Sequence, residues 1–178
     1  DHLLSTFNSL LAIARAEAGT HRDTMHKVDL SALVKDAVEL YEPVAEDAGI
    51  ICEIEVEDDL EIHGHTELLA QAIANLMDNA IKHGNMAPCG EPSIIVEAKR
   101  DGGDIAISVA DNGPGIAEAD RRRVVDRFVR LEASRNTPGS GLGLSLVVAA
   151  AHLHGGDLIL EDAEPGLRAV LRLPVNAG

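Results

Sequence analysis

Aromatic residues are nearly absent from this chain, which has no tryptophan, one tyrosine and two phenylalanines in 178 residues. That shortage leaves Leu, Ile, Val and Ala to build the core, and it removes the platforms on which single-stranded nucleic-acid binders stack bases. Positive charge is scarce as well. Fifteen Lys and Arg against thirty Asp and Glu give a formal net charge of -15, and without a basic footprint no nucleic acid is expected as a partner. The two cysteines, Cys52 and Cys89, are too few and too separated for a zinc site or a disulfide framework. No apolar run reaches the roughly 18 residues of a membrane helix, and the first residues do not form a signal peptide. The chain therefore reads as soluble and cytoplasmic.

What is present is enough for one domain and a little more. The opening "DHLLSTFNSLLAIARAEAG" sets Leu3, Phe7, Leu10 and Ala14 on one helical stripe, and Gly19 stops it. A stripe so apolar on a terminal helix is expected to pack on something outside the chain, either a second copy or a segment cut away. "DLSALVKDAVELYEPVAEDAGI" repeats the pattern with Leu30, Val34, Ala37, Tyr41, Val44 and Ala48, with a kink or an early end expected at Pro43. From Ile50 the period changes to two, so "ICEIEVE" is a strand with Cys52 on its buried face and "LEIHG" is expected to pair with it across the Asp58-Asp59 turn. "HTELLAQAIANLMDNAIKHG" is a helix with Thr66 as expected N-cap and Gly84 as stop. "SIIVEAKR" and "DIAISVAD" form a hairpin through Gly102-Gly103. After a glycine-rich loop, a helix to about His154 and the strands "DLILED" and "LRAVLRLP" complete an α+β sandwich, with one sheet covered on one face.

Three stretches could carry chemistry. On the helix "NLMDNAIKHG", Leu69, Ile73, Leu76, Met77 and Ala80 make an apolar stripe, while Asn75, Asn79, Lys82 and His83 fall at i, i+4, i+7 and i+8. Amide oxygens suit a magnesium ion, and an ammonium neutralises phosphate. In "DNGPGI", Asp111 ends a strand and Gly113 and Gly115 bring backbone close to whatever its carboxylate meets, such as an exocyclic amine like that of adenine. In "TPGSGLGLSL", Gly139, Gly141 and Gly143 alternate ahead of a helix. That spacing is neither a Walker loop nor a dinucleotide fingerprint. Each stretch also has a purely structural reading, as a polar helix face, a turn or a glycine loop. The six arginines between residues 121 and 135 likewise fit either a solvated face or an anion-facing surface.

Taken in order, "NLMDNAIKHG", "DNGPGI", "DRFVRLEASR" and "GSGLGLS" resemble the boxes of the ATP-binding domain of sensor histidine kinases, within the gyrase, Hsp90, histidine kinase and MutL superfamily. The resemblance covers nearly the whole chain. It implies a two-layer α/β sandwich with a mixed β-sheet, of Bergerat type, over residues 26–178, preceded over residues 1–25 by the second helix of a dimerisation hairpin. It implies ATP and Mg2+ as ligands, with Asn79 on the metal, Asn75 and Lys82 near the phosphates, and His83 beside the ribose or base. Asp111 would recognise the adenine amine, with Gly113, Gly115 and Ile116 shaping its pocket. A lid would span about 117–138, with Arg130 meeting the terminal phosphate. Gly139, Ser140, Gly141, Leu142 and Gly143 would cradle the phosphates at a helix N-terminus.

One position separates branches of that superfamily. Hydrolysing relatives place Glu, as general base, four residues before the metal-binding Asn; here Asn75 stands there and cannot take a proton. Transfer of the γ-phosphate to a presented histidine is expected instead, for relay to an aspartate of a response regulator. None of the eight histidines has the context of the family's phosphoacceptor, so the acceptor is expected on an absent upstream helix of a homodimeric parent, whose membrane anchoring the sequence leaves open. Rival readings are a non-catalytic phosphorelay or adaptor module and a serine kinase of the anti-sigma type.

Overall fold

The computed structural model describes residues 14, 25–88, 90–121, 123–125 and 142–175. Its centre is a five-stranded mixed sheet, ordered β2-β4-β5-β7-β6, built from β2 (Ile51–Val56), β4 (Ser93–Asp101), β5 (Asp104–Asp111), β6 (Asp157–Asp162) and β7 (Leu167–Pro174). β2 runs parallel to β4, and the other neighbours are antiparallel. Helices α1 (Leu30–Asp47), α2 (Thr66–Gly84) and α4 (Gly143–Leu153) belong to the same core as this sheet, and α3 (Glu118–Arg121) is a single turn. The expected α+β sandwich is the observed one.

Alternation explains the layers. Ile94, Val96 and Ala98 of β4 and Ile105, Ile107 and Val109 of β5 are buried in the core with Leu69, Ile73, Leu76 and Met77 of α2. The opposite sheet face carries Glu97, Ser108 and Arg168, where the Arg168 guanidinium pairs with Glu97 and donates to Ser108 Oγ at 3.0 Å. Ile73 has no solvent exposure. Ile73→Ala is therefore expected to cost about 2–5 kcal/mol in denaturant unfolding, because the rigid sheet cannot collapse onto the cavity.

The hairpin of β4 and β5 turns at Gly102-Gly103 as the sequence indicates, with Gly102 at φ +64. Four other expectations are corrected. "EIHG" forms β3 (Glu61–Gly64), which pairs antiparallel with a strand unforeseen in the sequence, β1 (His26–Asp29), in a separate two-stranded sheet. The reason lies in the intervening turn. Ser31 Oγ donates to the Glu57 carbonyl at 2.7 Å and accepts the Leu60 N–H at 3.0 Å, while Leu30 N–H reaches the Leu60 carbonyl at 2.7 Å. These bonds draw the chain across the start of α1 and away from β2.

Pro43 neither ends nor breaks α1, which continues to Asp47. Pro43 and Glu39 are both exposed, so the carbonyl that loses its helical donor can bond water. The buried stripe of α1 is Leu30, Val34, Val38 and Ala45, with Ala37 and Tyr41 half-buried, whereas Val44 is 51% exposed and Ala48 is also exposed. The N-cap of α2 is His65, whose Nδ1 accepts the Leu68 N–H at 3.3 Å; Thr66 is the first helical residue and its Oγ1 meets His26 Nε2 at 2.8 Å. Cys52 is half-buried beside the core. His154, 2% exposed, bridges α4 to the start of α2 by accepting the His65 N–H at Nε2 and placing Nδ1 2.7 Å from the Ala150 carbonyl. It is a packing residue. No helix among the described residues is long and apolar enough to cross a membrane.

Candidate functional site

The site is organised along the outer side of α2. Its inner stripe is fully engaged with the sheet, with Leu69, Ile73, Leu76, Met77 and Ala80 all buried. The residues a quarter-turn away, Asn75, Asn79, Lys82 and His83, are half-buried. From Asn75 to His83 the helix rises about 12 Å. A different element packs at each end of that row.

At the Asn75 end stands the N-terminus of α4. A Cβ placed on Gly143 would lie 3.1 Å from Asn75 Oδ1 and 3.4 Å from Asn79 Nδ2, so the bare glycine lets the helix start directly above both amides. Leu142, fully buried, fixes this approach, and Leu144 packs against the core from the next turn. Among the described residues no side chain caps α4, whose N-cap is the apolar Leu142, and Ser145 Oγ donates to the Leu142 carbonyl at 3.0 Å. A helix N-terminus offers N–H groups and a partial positive charge to an anion. Asn75 is anchored, its Nδ2 donating to the Gln71 carbonyl at 2.8 Å.

Asn79 is different. Its Nδ2 is buried and has no hydrogen-bond partner among the described residues. An orphaned amide costs about 1–3 kcal/mol, a cost that a ligand at this spot would relieve. Turning the amide by 180° presents Oδ1 to the same place, and such an oxygen is a suitable hard ligand for Mg2+. No cluster of three His, Cys, Asp or Glu among the described residues could hold a metal alone. A cation here would complete its shell with phosphate oxygens and water. The residues present therefore fit a magnesium-phosphate group. Lys82 does not point to this end unencumbered, since its ammonium pairs with Asp78 one turn back.

At the other end the 111–116 loop closes over the last turn of α2. Asp111 is 6% exposed. Its Cβ lies 3.4 Å from where a Cβ of Gly84 would be, and a Cβ on Gly113 would stand 2.4 Å from the His83 carbonyl oxygen. Only glycine allows this closeness. Burial pushes the Asp111 carboxyl above its ordinary value, against the opposing pull of N–H donors from Gly113 and Leu167. Burial, with Lys82 nearby, lowers the His83 imidazole below its ordinary value, the Asp78 charge working the other way. The imidazole is accordingly neutral at pH 7. Asn112, which sequence reasoning passed over, ties the loop to the start of β4 by accepting the Ser93 N–H at 2.9 Å and donating to the Glu91 carbonyl at 2.8 Å. The run "DNG" carried that signal.

The described residues thus bring Asn75 and Asn79 together with Leu142 and Gly143, and His83 together with Asp111 and Gly113, with Gly115 and Ile116 continuing the loop. Arg130, Gly139, Ser140, Gly141 and most of the expected lid lie outside the described residues, as do Cys89 and the opening helix apart from Ala14.

Residues 64–177 match the family of histidine kinase-, DNA gyrase B-, and HSP90-like ATPases. The signal transduction histidine-protein kinase AfsQ2 of Streptomyces coelicolor is 35% identical over 170 residues, which cover 93% of this chain and 29% of that protein. The chain spans 32%, 29% and 44% of the length of three such curated relatives. Among solved structures, the mycobacterial sensor histidine kinase MprB superposes with a TM-score of 0.72 at 30% identity, covering 84% of this chain and 97% of that one. Full-length ShkA, solved in complex with AMPPNP, gives 0.81 at 30% identity over 100% of this chain and 37% of that one. With its sheet, its paired asparagines and its buried aspartate in this arrangement, and with sensor histidine kinases as its relatives, the chain belongs to the histidine kinase-, DNA gyrase B- and HSP90-like ATPase family.

Proposed function

We propose that the chain is the catalytic ATP-binding region of a two-component sensor kinase, binding Mg-ATP and passing its γ-phosphate to a histidine on a separate helix, for later relay to a response-regulator aspartate. The observation that carries this reading is the buried Asn79 Nδ2, without a partner among the described residues, beneath the start of α4 on a helix whose last turn packs against the loop that bears the buried Asp111. The roughly 12 Å between these ends suits a nucleotide lying lengthwise, phosphates at Asn75 and Asn79, base at Asp111.

Each residue then has a task. Asp111 accepts a hydrogen bond from the exocyclic amine of adenine. His83, neutral, lines the ribose side. Asn79 supplies one oxygen to Mg2+, and the first N–H groups of α4 hold phosphate oxygens. Bound magnesium would neutralise charge on the β- and γ-phosphates. Lys82, held by Asp78, adds a positive potential along this face, and Arg130 would add another from the lid of about 117–138. Asn75 offers no base to activate water, and Asp78 is occupied by its ion pair with Lys82. The site therefore favours a presented acceptor over hydrolysis.

We place the same division on the chain as a whole. Residues 26–178 form the catalytic domain, residues 1–25 belong to a dimerisation hairpin, and the acceptor histidine comes from the partner helix of that hairpin in a homodimer. The test supplies a separate hairpin bearing such a histidine, together with Mg-ATP labelled on the γ-phosphate. Acid-labile label on the hairpin, absent without Mg2+ and without this chain, is the expected outcome. Label released only as inorganic phosphate would refute transfer, and acid-stable label would point to a serine kinase.

A further inference from the structure

Arg121 opens the arginine-rich stretch, where the sequence alone reads equally well as solvated surface. Its neighbour Arg123 fits that reading, with a side chain 69% exposed, but the Arg121 side chain is only 19% exposed. Nε donates to the Ile116 carbonyl at 2.9 Å, and Nη2 meets Asp162 Oδ2 at 2.8 Å. One guanidinium thus joins the end of the 111–116 loop to the end of β6.

Asp162 is itself part of a second support. Its Oδ1 accepts the Glu164 N–H at 3.1 Å, fixing the turn between β6 and β7. That turn lies directly against the loop. A Cβ on Gly166, at φ +112, would stand 1.7 Å from the Asp111 carbonyl oxygen, and one on Gly115 would stand 2.7 Å from the Gly166 carbonyl oxygen. Immediately after the turn, the Leu167 N–H comes near enough to the Asp111 carboxyl to work against the effect of burial. The loop is therefore held from its first half by Asn112 on β4, and from its last residue by Arg121. Fixed N–H groups of Arg suit such a bridge, since the planar fork loses little freedom per bond made.

We propose that Arg121 is a positioning residue for base recognition, its guanidinium clamping the Ile116 carbonyl to Asp162 so that the 111–116 loop stays seated on the β6–β7 turn and presents the Asp111 carboxylate to the adenine ring. This rests on the reading of Asp111 as the base-recognising group. Arg121 touches no ligand. Its effect falls on the base and leaves the phosphates alone.

The experiment compares Arg121→Leu and Asp162→Asn with the unmodified chain, measuring affinity for adenosine by NMR titration and for Mg-ATP by calorimetry, alongside thermal melts. Asp162→Asn keeps Oδ1 for Glu164 while removing the charge that Arg121 meets. Both variants are expected to bind adenosine and Mg-ATP about tenfold more weakly, in equal proportion, as suits loss of one charge-assisted bridge. Their melting points should stay within about 3 °C of the parent. The double variant should be no weaker than the worse single one, because both remove the same link. Unchanged adenosine affinity in a folded Arg121→Leu overturns the proposal, and so does a loss confined to Mg-ATP, which would mean contact with phosphate. Should Arg121→Leu fail to fold, unchanged adenosine affinity in Asp162→Asn overturns it equally. Failure of the underlying reading looks different. There the unmodified chain binds neither ligand, or Asp111→Asn leaves adenosine affinity intact.

Discussion

Asn79→Ala is expected to remove measurable Mg-ATP binding in calorimetry, a loss of roughly 100-fold or more for a direct metal ligand, while the folded chain becomes no less stable. The two halves of this expectation come from one observation. The Asn79 Nδ2 is buried with no partner among the described residues, so alanine deletes an unsatisfied polar group rather than a stabilising bond. Alanine is also the better helix former by a few tenths of a kcal/mol. A melting point equal to or above that of the parent, with nucleotide affinity gone, marks a residue kept for its ligand. An unchanged Mg-ATP affinity would sink the assignment of this end of α2.

The second large effect is at the opposite end of the site. Asp111→Asn is expected to weaken adenine nucleotides roughly 30-fold or more, since a bond from an ionised acceptor is worth about 1.5–3 kcal/mol and the substituted amide presents a competing donor to the base. Stability should move the other way at neutral pH. Burial raises the folded-state carboxyl of Asp111 above its ordinary value. A raised folded value means a contribution fully present below the unfolded value and lost as pH rises through the folded one. Asparagine escapes that loss. Its advantage in thermal unfolding should therefore appear above the Asp111 titration and fade as pH falls toward the ordinary aspartate range. In the parent, nucleotide affinity should decline over the same window as the carboxylate protonates. Parallel loss of stability and affinity in Asp111→Asn at pH 7 would contradict this account.

How much of this could be read from the sequence differs from one element to the next. The α2 helix is legible apart from its cap, because its apolar stripe and its polar row follow the 3.6-residue period, whereas the choice of His65 over Thr66 as N-cap leaves no such pattern. The β4–β5 hairpin was legible for the same kind of reason, with strict alternation around two glycines. The partner of β3 was not. Its choice is made by Ser31 and Leu30, some 30 positions earlier, and no local pattern encodes such a bond. Pro43 does not end α1 as the sequence allowed, since Glu39 and Pro43 are both exposed and the carbonyl that loses its helical donor can bond water. In the candidate site, residue type and spacing single out Asn75, Asn79 and Asp111, and the family resemblance supplies the roles expected of them. That Gly143 sits above the two amides, or that Arg121 reaches Asp162 across 41 positions, depends on how α4 and β6 return to the sheet. Local spacing cannot supply that.

The order of the main sheet leaves β2 and β6 at its borders, with no strand among the described residues on their outer sides. Each border carries exposed acids, Glu53 and Glu55 on β2 and Asp157 and Glu161 on β6. Two copies meeting edge to edge, in any of the three pairings, would therefore bring carboxylates together before a single backbone bond could form. Acidic side chains at both borders thereby disfavour edge-to-edge growth of the open ladder into a filament.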